Sequence, residues 1–125
     1  MKKVFMVDDD EIHLSTAELF LKDEFEVHKA KSGVEALKYL QNSQVIPDLI
    51  MLDIIMPDMD GWEVFKRIRA INTLKNVPIM FLTSSAGEVE RKKARILGAA
   101  DYMTKPFNMT LLKSTIHDIL KAHSR

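Results

Sequence analysis

Three carboxylates, a hydroxyl and an ammonium fall at the ends of apolar runs in this chain. Asp53 ends the run Asp48-Leu-Ile-Met-Leu-Asp53, and the pair Asp8-Asp9 closes Val4-Phe-Met-Val7. Thr83 closes Val77-Pro-Ile-Met-Phe-Leu-Thr83, and Lys105-Pro106 follows Ala100-Asp-Tyr-Met-Thr104. Short apolar runs bounded by polar residues read as buried strands, so each polar group stands at a strand's C-terminal end. In a parallel sheet those ends share one edge, which is where open α/β sheets bind ligands. Crowded carboxylates repel one another and raise one another's pKa values. A magnesium ion, which takes oxygen ligands, offsets that repulsion. The set therefore suits a magnesium ion and a phosphoryl group carried on an aspartate.

The elements that must position these groups follow from the same pattern. Apolar runs alternate with longer segments of helical period, which predicts βα units around a parallel sheet. Strands are expected at about 3–7, 25–30, 48–53, 77–83 and 100–104. Helices are expected at about 11–22, 33–42, 62–71, 87–97 and 109–122. Ser32 is a candidate N-cap for the second helix, whose inward face reads as Val34, Leu37 and Leu40. The third helix packs on Val64, Phe65, Ile68 and Ile71, and Gly98 suits a left-handed cap after the fourth. The nearly continuous apolar run at Asp53 places its strand in the middle of the sheet, and the alternating Phe25–Ala30 reads as an edge. The fold class is α/β: a doubly wound five-stranded parallel sheet with five helices.

Bulk properties narrow the function classes. At 125 residues the chain has room for a single core. Its 18 basic and 18 acidic side chains balance, so nothing global points to nucleic acid or an anionic membrane. With no cysteine, thiolate metal sites and cysteine nucleophiles are excluded. Met1-Lys-Lys is followed by too short an apolar run for a signal peptide, and no stretch reaches the roughly 18 apolar residues of a span. A cytoplasmic location is expected. The four histidines, His13, His28, His117 and His123, lack metal-ligand spacing and read as surface or structural residues; His13 is the one near the acidic loop.

Taken together, Val7-Asp8-Asp9-Asp10, Leu52-Asp53-Ile-Ile-Met-Pro57-Asp-Met-Asp-Gly61, Leu82-Thr83-Ser84 and Gly98-Ala-Ala-Asp-Tyr102-Met-Thr-Lys105-Pro106-Phe107 resemble the receiver domain of two-component response regulators. The resemblance covers essentially the whole chain, 1–125, and implies a flavodoxin-like sheet of strand order 2-1-3-4-5. It makes Asp53 the phosphoacceptor, and Asp8 and Asp9, with Asp53 and the main-chain carbonyl of Ile55, the ligands of Mg2+ or Mn2+. It makes Thr83 and Lys105 the partners of the phosphoryl group, and Thr83 and Tyr102 the switch, with the Tyr102 ring turning inward on phosphorylation. The Lys105-Pro106 bond is expected to be cis. The donor implied is a histidine kinase or histidine phosphotransfer protein, and the output partner is unknown. A phosphorylation-dependent homodimer is allowed; nucleic acid and membrane are not expected as direct partners.

One departure bears on lifetime. Ile55, two residues after Asp53, cannot hydrogen-bond a water, so slow loss of the phosphoryl group is expected. Two other function classes compete with a signalling switch. A magnesium-dependent phosphohydrolase would need a second acid/base carboxylate at the Ile55 position and a substrate cap, which the sequence lacks. A phosphorylation-independent interaction module would not need the complete acidic set. Whether the chain stands alone or is part of a longer regulator stays open.

Overall fold

Leu49, Ile50, Met51 and Leu52 are all fully buried, as a strand covered on both faces requires. In the computed structural model, which describes residues 1–42, 44–85 and 87–123, they form β3 (Leu49–Leu52). Its companions are β1 (Lys3–Val7), β2 (Glu26–Ala30), β4 (Ile79–Thr83) and β5 (Asp101–Thr104). All pairings are parallel and the order is β2-β1-β3-β4-β5, as predicted. Five helices lie between and after the strands: α1 (Glu11–Leu21), α2 (Gly33–Asn42), α3 (Gly61–Ala70), α4 (Glu88–Leu97) and α5 (Met109–Ala122). A short 3-10 turn, Asn72–Leu74, follows α3.

Alternate strand residues point to opposite faces, so the sheet carries two cores. Phe5, Val7, Ile50, Leu52, Ile79 and Phe81 pack with Leu37, Leu40, Val64, Phe65 and Ile68 of α2 and α3. Val4, Met6, Leu49, Met51, Met80 and Leu82 pack with Leu14, Leu21, Leu112 and Ile116 of α1 and α5. Four helix starts are fixed by local side-chain acceptors, and α4, which begins after Gly87, has none. Asp10 accepts from the amides of Ile12 and His13, Ser32 from Glu35, Asp60 from Glu63, and Asn108 from Thr110 and Leu111. Gly98, at φ 89°, ends α4 in the left-handed region.

Two details differ from the sequence expectation. Val34 is exposed, not inward, because α2 buries Gly33, Ala36, Leu37 and Leu40. Those four positions follow the 3.6-residue repeat, and Val34 lies about 100° around the helix from Gly33. Gly33 occupies the buried line because a Cβ there would lie 2.7 Å from Val64 Cγ2. The other difference is β4, which starts at Ile79 rather than Val77, since Pro78 has no amide to donate.

Candidate functional site

The site is built where β1, β3, β4 and β5 end side by side. Asp8 follows β1, and its amide donates to the Ala30 carbonyl of β2 at 3.1 Å. Asp53 follows β3, its amide donating to the Val7 carbonyl at 3.0 Å. The ladder thus continues one residue past each strand and aims both side chains over the sheet edge. Thr83 ends β4, and its carbonyl accepts from the Lys105 amide at 2.8 Å, which ties the start of the β5–α5 loop to β4. The Lys105–Pro106 peptide is cis.

Gly61 sets the height of the Asp53 turn. Its amide donates to the Ile54 carbonyl at 2.7 Å, and a Cβ here would lie 2.3 Å from the Asp53 carbonyl oxygen. Only glycine lets the start of α3 seat directly on the Asp53–Ile54 backbone. Asp58, in the loop before it, reaches across to α2 and accepts from the amides of Gly33 at 3.4 Å and Val34 at 3.0 Å. The β3–α3 loop is therefore fixed at both ends.

Carboxylate oxygens of Asp8, Asp9 and Asp53 lie within 4.8 Å of one another. Asp8 and Asp53 are buried and Asp9 is exposed, so the group opens to solvent on one side. Lys105 reaches in from the opposite strand end: its Nζ lies 2.5 Å from Asp8 Oδ2 and 3.2 Å from Asp53 Oδ2. Asp8 Oδ1 accepts from the Asp10 amide, and Asp53 Oδ1 from the Ile55 amide at 3.3 Å. Burial pushes the Asp53 carboxyl above its ordinary range; Lys105 opposes this, and the neighbouring Asp8 adds to it. The donors are all hard oxygens, which fit Mg2+ or Mn2+ and not a soft metal.

Thr83 is fully buried, with its hydroxyl accepting from the Ser85 amide at 3.2 Å. The carbonyl of the same Ser85 accepts from the Tyr102 hydroxyl at 2.6 Å. Tyr102 is itself buried, and burial holds its phenol above the ordinary value. Arg91 of α4 lies over the ring, 5.0 Å from its centre, and donates to the Tyr102 carbonyl and to the Thr104 hydroxyl at 2.7 Å. The residues singled out in the sequence thus meet in one place, except that Tyr102 sits a layer behind, linked through Ser85. Ile55 projects its side chain into solvent beside Asp53.

His13 was read from sequence as a bystander, yet its Nδ1 lies 3.1 Å from Lys105 Nζ and 3.3 Å from Asp8 Oδ2. A usable signal existed. His13 is the third helical residue after the Asp10 cap, the position whose side chain reaches back toward the cap. The other three histidines lie elsewhere: His28 meets Glu26 and Tyr39, His117 meets Glu24, and His123 meets the Ile119 carbonyl. An open cleft leads to the site past Thr16, Ala17, Phe107 and Met109. No helix among the described residues is long and apolar enough to cross a membrane.

Residues 4–117 match the family model of the response regulator receiver domain. The chain is 37% identical over 122 residues to the chemotaxis protein CheY of Halobacterium salinarum, covering 97% of this chain and 98% of that one. It is 38% identical over 122 residues to the transcriptional regulatory protein CpxR homolog of Haemophilus influenzae, covering 97% of this chain but 51% of that protein. It spans about half or less of several curated relatives it matches. A two-component response regulator from Clostridium difficile superposes with a TM-score of 0.89 at 27% identity, with 100% of both chains covered.

Proposed function

This chain belongs to the response regulator receiver family, and on that premise we propose that it is a phosphoryl-accepting switch of a two-component system or phosphorelay. The donor is a phosphohistidine on a histidine kinase or phosphotransfer protein, and residues 1–125 act as one receiver unit. The observation that carries the proposal is the buried Asp53 carboxylate, held between the Asp8–Asp9 pair and the Lys105 ammonium.

Asp53 attacks the phosphorus of the donor through one carboxylate oxygen. A P–O bond forms, the donor's P–N bond breaks, and the released imidazole nitrogen takes up a proton. When bound, a divalent cation at Asp8, Asp9, Asp53 and the Ile55 carbonyl offsets the carboxylate repulsion and neutralises one phosphoryl oxygen. Lys105 meets a second oxygen as a mobile point charge. Thr83 offers its hydroxyl to a third. The chain carries a signal and turns over no separate metabolic substrate.

The contacts behind the site suggest how the modification is read. If Thr83 turns its hydroxyl to the phosphoryl group, the Ser85 amide loses its acceptor, and Ser85 also holds Tyr102. Ser85 and the Tyr102 ring are thereby coupled to the state of Asp53, and the face of α4, β5 and α5 changes as a population shift. That face then meets the output partner or a second copy.

Intact mass after acetyl phosphate tests the reading, with magnesium, with excess chelator, and with Asp53→Asn. A single phosphoryl adduct that requires both magnesium and Asp53 is expected. Rapid consumption of acetyl phosphate with no adduct would favour a hydrolase, and no adduct with magnesium bound would favour an interaction module.

A further inference from the structure

The Lys105 ammonium has three hydrogens to donate, and three acceptors surround it. Two are the Asp8 and Asp53 carboxylates, and the third is His13 Nδ1 at 3.1 Å. The same nitrogen lies 3.3 Å from Asp8 Oδ2, to which a protonated Nδ1 would donate; as an acceptor from Lys105 it carries no proton, which puts the ring's proton on Nε2. That nitrogen faces Asp10 Oδ2 at 3.5 Å. Asp10 also accepts from the Ile12 and His13 amides, so the residue that starts α1 sets the ring's position too.

The third acceptor matters because the other two have competing duties. Asp8 and Asp53 both belong to the carboxylate group suited to a divalent cation. When those oxygens turn to a cation and a phosphoryl group, Lys105 loses fixed partners at the end of a flexible four-carbon stem. Freezing such a side chain costs rotamer entropy. A neutral imidazole keeps one N–H engaged and adds no negative charge to compete for the ammonium.

We propose that His13 is a positioning residue for Lys105, its Nδ1 holding the ammonium beside Asp53 so that charge is in place when the phosphoryl group arrives. The role rests on the phosphoryl-transfer reading above. It is a role in orientation, since His13 acts through Lys105.

The test compares His13→Leu with His13→Asn, whose side-chain oxygen can stand near the Nδ1 position. Rates of Asp53 phosphorylation by acetyl phosphate are measured at saturating magnesium, with melting temperatures alongside. His13→Leu is expected to slow the reaction about five-fold to ten-fold, the worth of roughly one hydrogen bond, while melting as the wild type does. His13→Asn is expected to recover most of that rate. Equal losses in both variants, or no loss in either, would overturn the role. A second readout needs no phosphorylation: 15N NMR of the His13 ring at alkaline pH reports which ring nitrogen carries the proton. An unprotonated Nδ1 whose resonance moves in Lys105→Met is expected. A proton on Nδ1, or indifference to Lys105→Met, overturns the proposal. A wild type that takes no phosphoryl group sinks the underlying reading and this role with it. A wild type that takes one, with His13→Leu equal to it in rate, sinks the role alone.

Discussion

The Tyr102 hydroxyl donates to the Ser85 carbonyl across 2.6 Å, with the ring buried. The ring is held in this inward position from the α4 side as well. Arg91 does so, lying over the ring and bonding the β5 backbone and Thr104. Arg91→Ala should therefore loosen Tyr102 in the unmodified protein and cost about 1 kcal/mol, the size of one exposed cation–π contact. Aromatic NMR and denaturant melts check this. Unchanged Tyr102 ring shifts in the variant would show that Arg91 does not hold the ring.

Gly61→Ala should harm both stability and the site. The added Cβ would meet the Asp53 carbonyl oxygen at 2.3 Å and Ile54 Cα at 2.6 Å, and backbone cannot move aside as a flexible side chain can. A loss of about 2 kcal/mol is expected from overpacking of this kind. Because the displaced backbone carries Asp53, the phosphorylation rate should fall even at temperatures where the variant remains folded. Melts and adduct mass measured together separate the two effects.

The central and edge places in the sheet were legible because Asp48–Asp53 and Val77–Thr83 are nearly continuous apolar runs while Glu26–Ala30 alternates; the full strand order came with the family resemblance. The acidic group was legible for a related reason: each member ends such a run, and strand ends in a parallel sheet converge. His13 was legible only in part: its place three residues after the Asp10 cap turns it back toward the acidic loop, but its contact with Lys105 depends on how α1 is rotated over the sheet edge, a tertiary fact that spacing does not carry. Val34 misled because Gly33 was not counted as an inward position; a glycine has no side chain to mark the buried line. The role of Asp58 as acceptor for a helix 24 residues earlier, at Val34, lies beyond any local pattern.

Asp58→Ala should destabilise the protein by about 1 kcal/mol, the usual loss for an N-terminal helix acceptor. Burial opposes ionisation of Asp58, but the amides of Val34, Gly33 and Met59 prevail and hold its carboxyl below the ordinary 3.8. A carboxylate lowered by folding adds stability above its unfolded value and loses it as pH falls through the folded one. The gap between wild type and Asp58→Ala should thus be full at neutral pH and narrow below about pH 4. Urea melts across that range test it, and a constant gap would mean that the capping charge contributes nothing.

Asp53 should behave in the opposite sense. Burial raises its carboxyl in the folded state, so the ionised form is a liability above that raised value and the liability fades as pH falls through it. Asp53→Asn should be more stable than the wild type at neutral pH, by about 1 kcal/mol on the scale of ordinary single substitutions, and the difference should shrink on acidification. Magnesium should reverse the ranking: a ligand at about 100 times its Kd adds about 2.7 kcal/mol to a protein that binds it. The wild type should gain that and Asp53→Asn much less. Thermal melts with and without magnesium decide the matter, and equal gains would place the cation away from Asp53.

Ile55 sits beside Asp53 with its side chain in solvent, while its amide donates to Asp53 Oδ1. A water approaching the phosphorus from this side meets a branched apolar group with nothing to orient it. Ile55→Asn introduces a donor and an acceptor at the same exposed position without disturbing the buried core. One hydrogen bond formed only in the transition state is worth about 1 kcal/mol, so hydrolysis should quicken about five-fold to ten-fold. The decay of the mass adduct after removal of acetyl phosphate measures this directly. A wild-type adduct lasting only seconds, or an Asn variant that decays no faster, would show that the residue at position 55 does not control access of water.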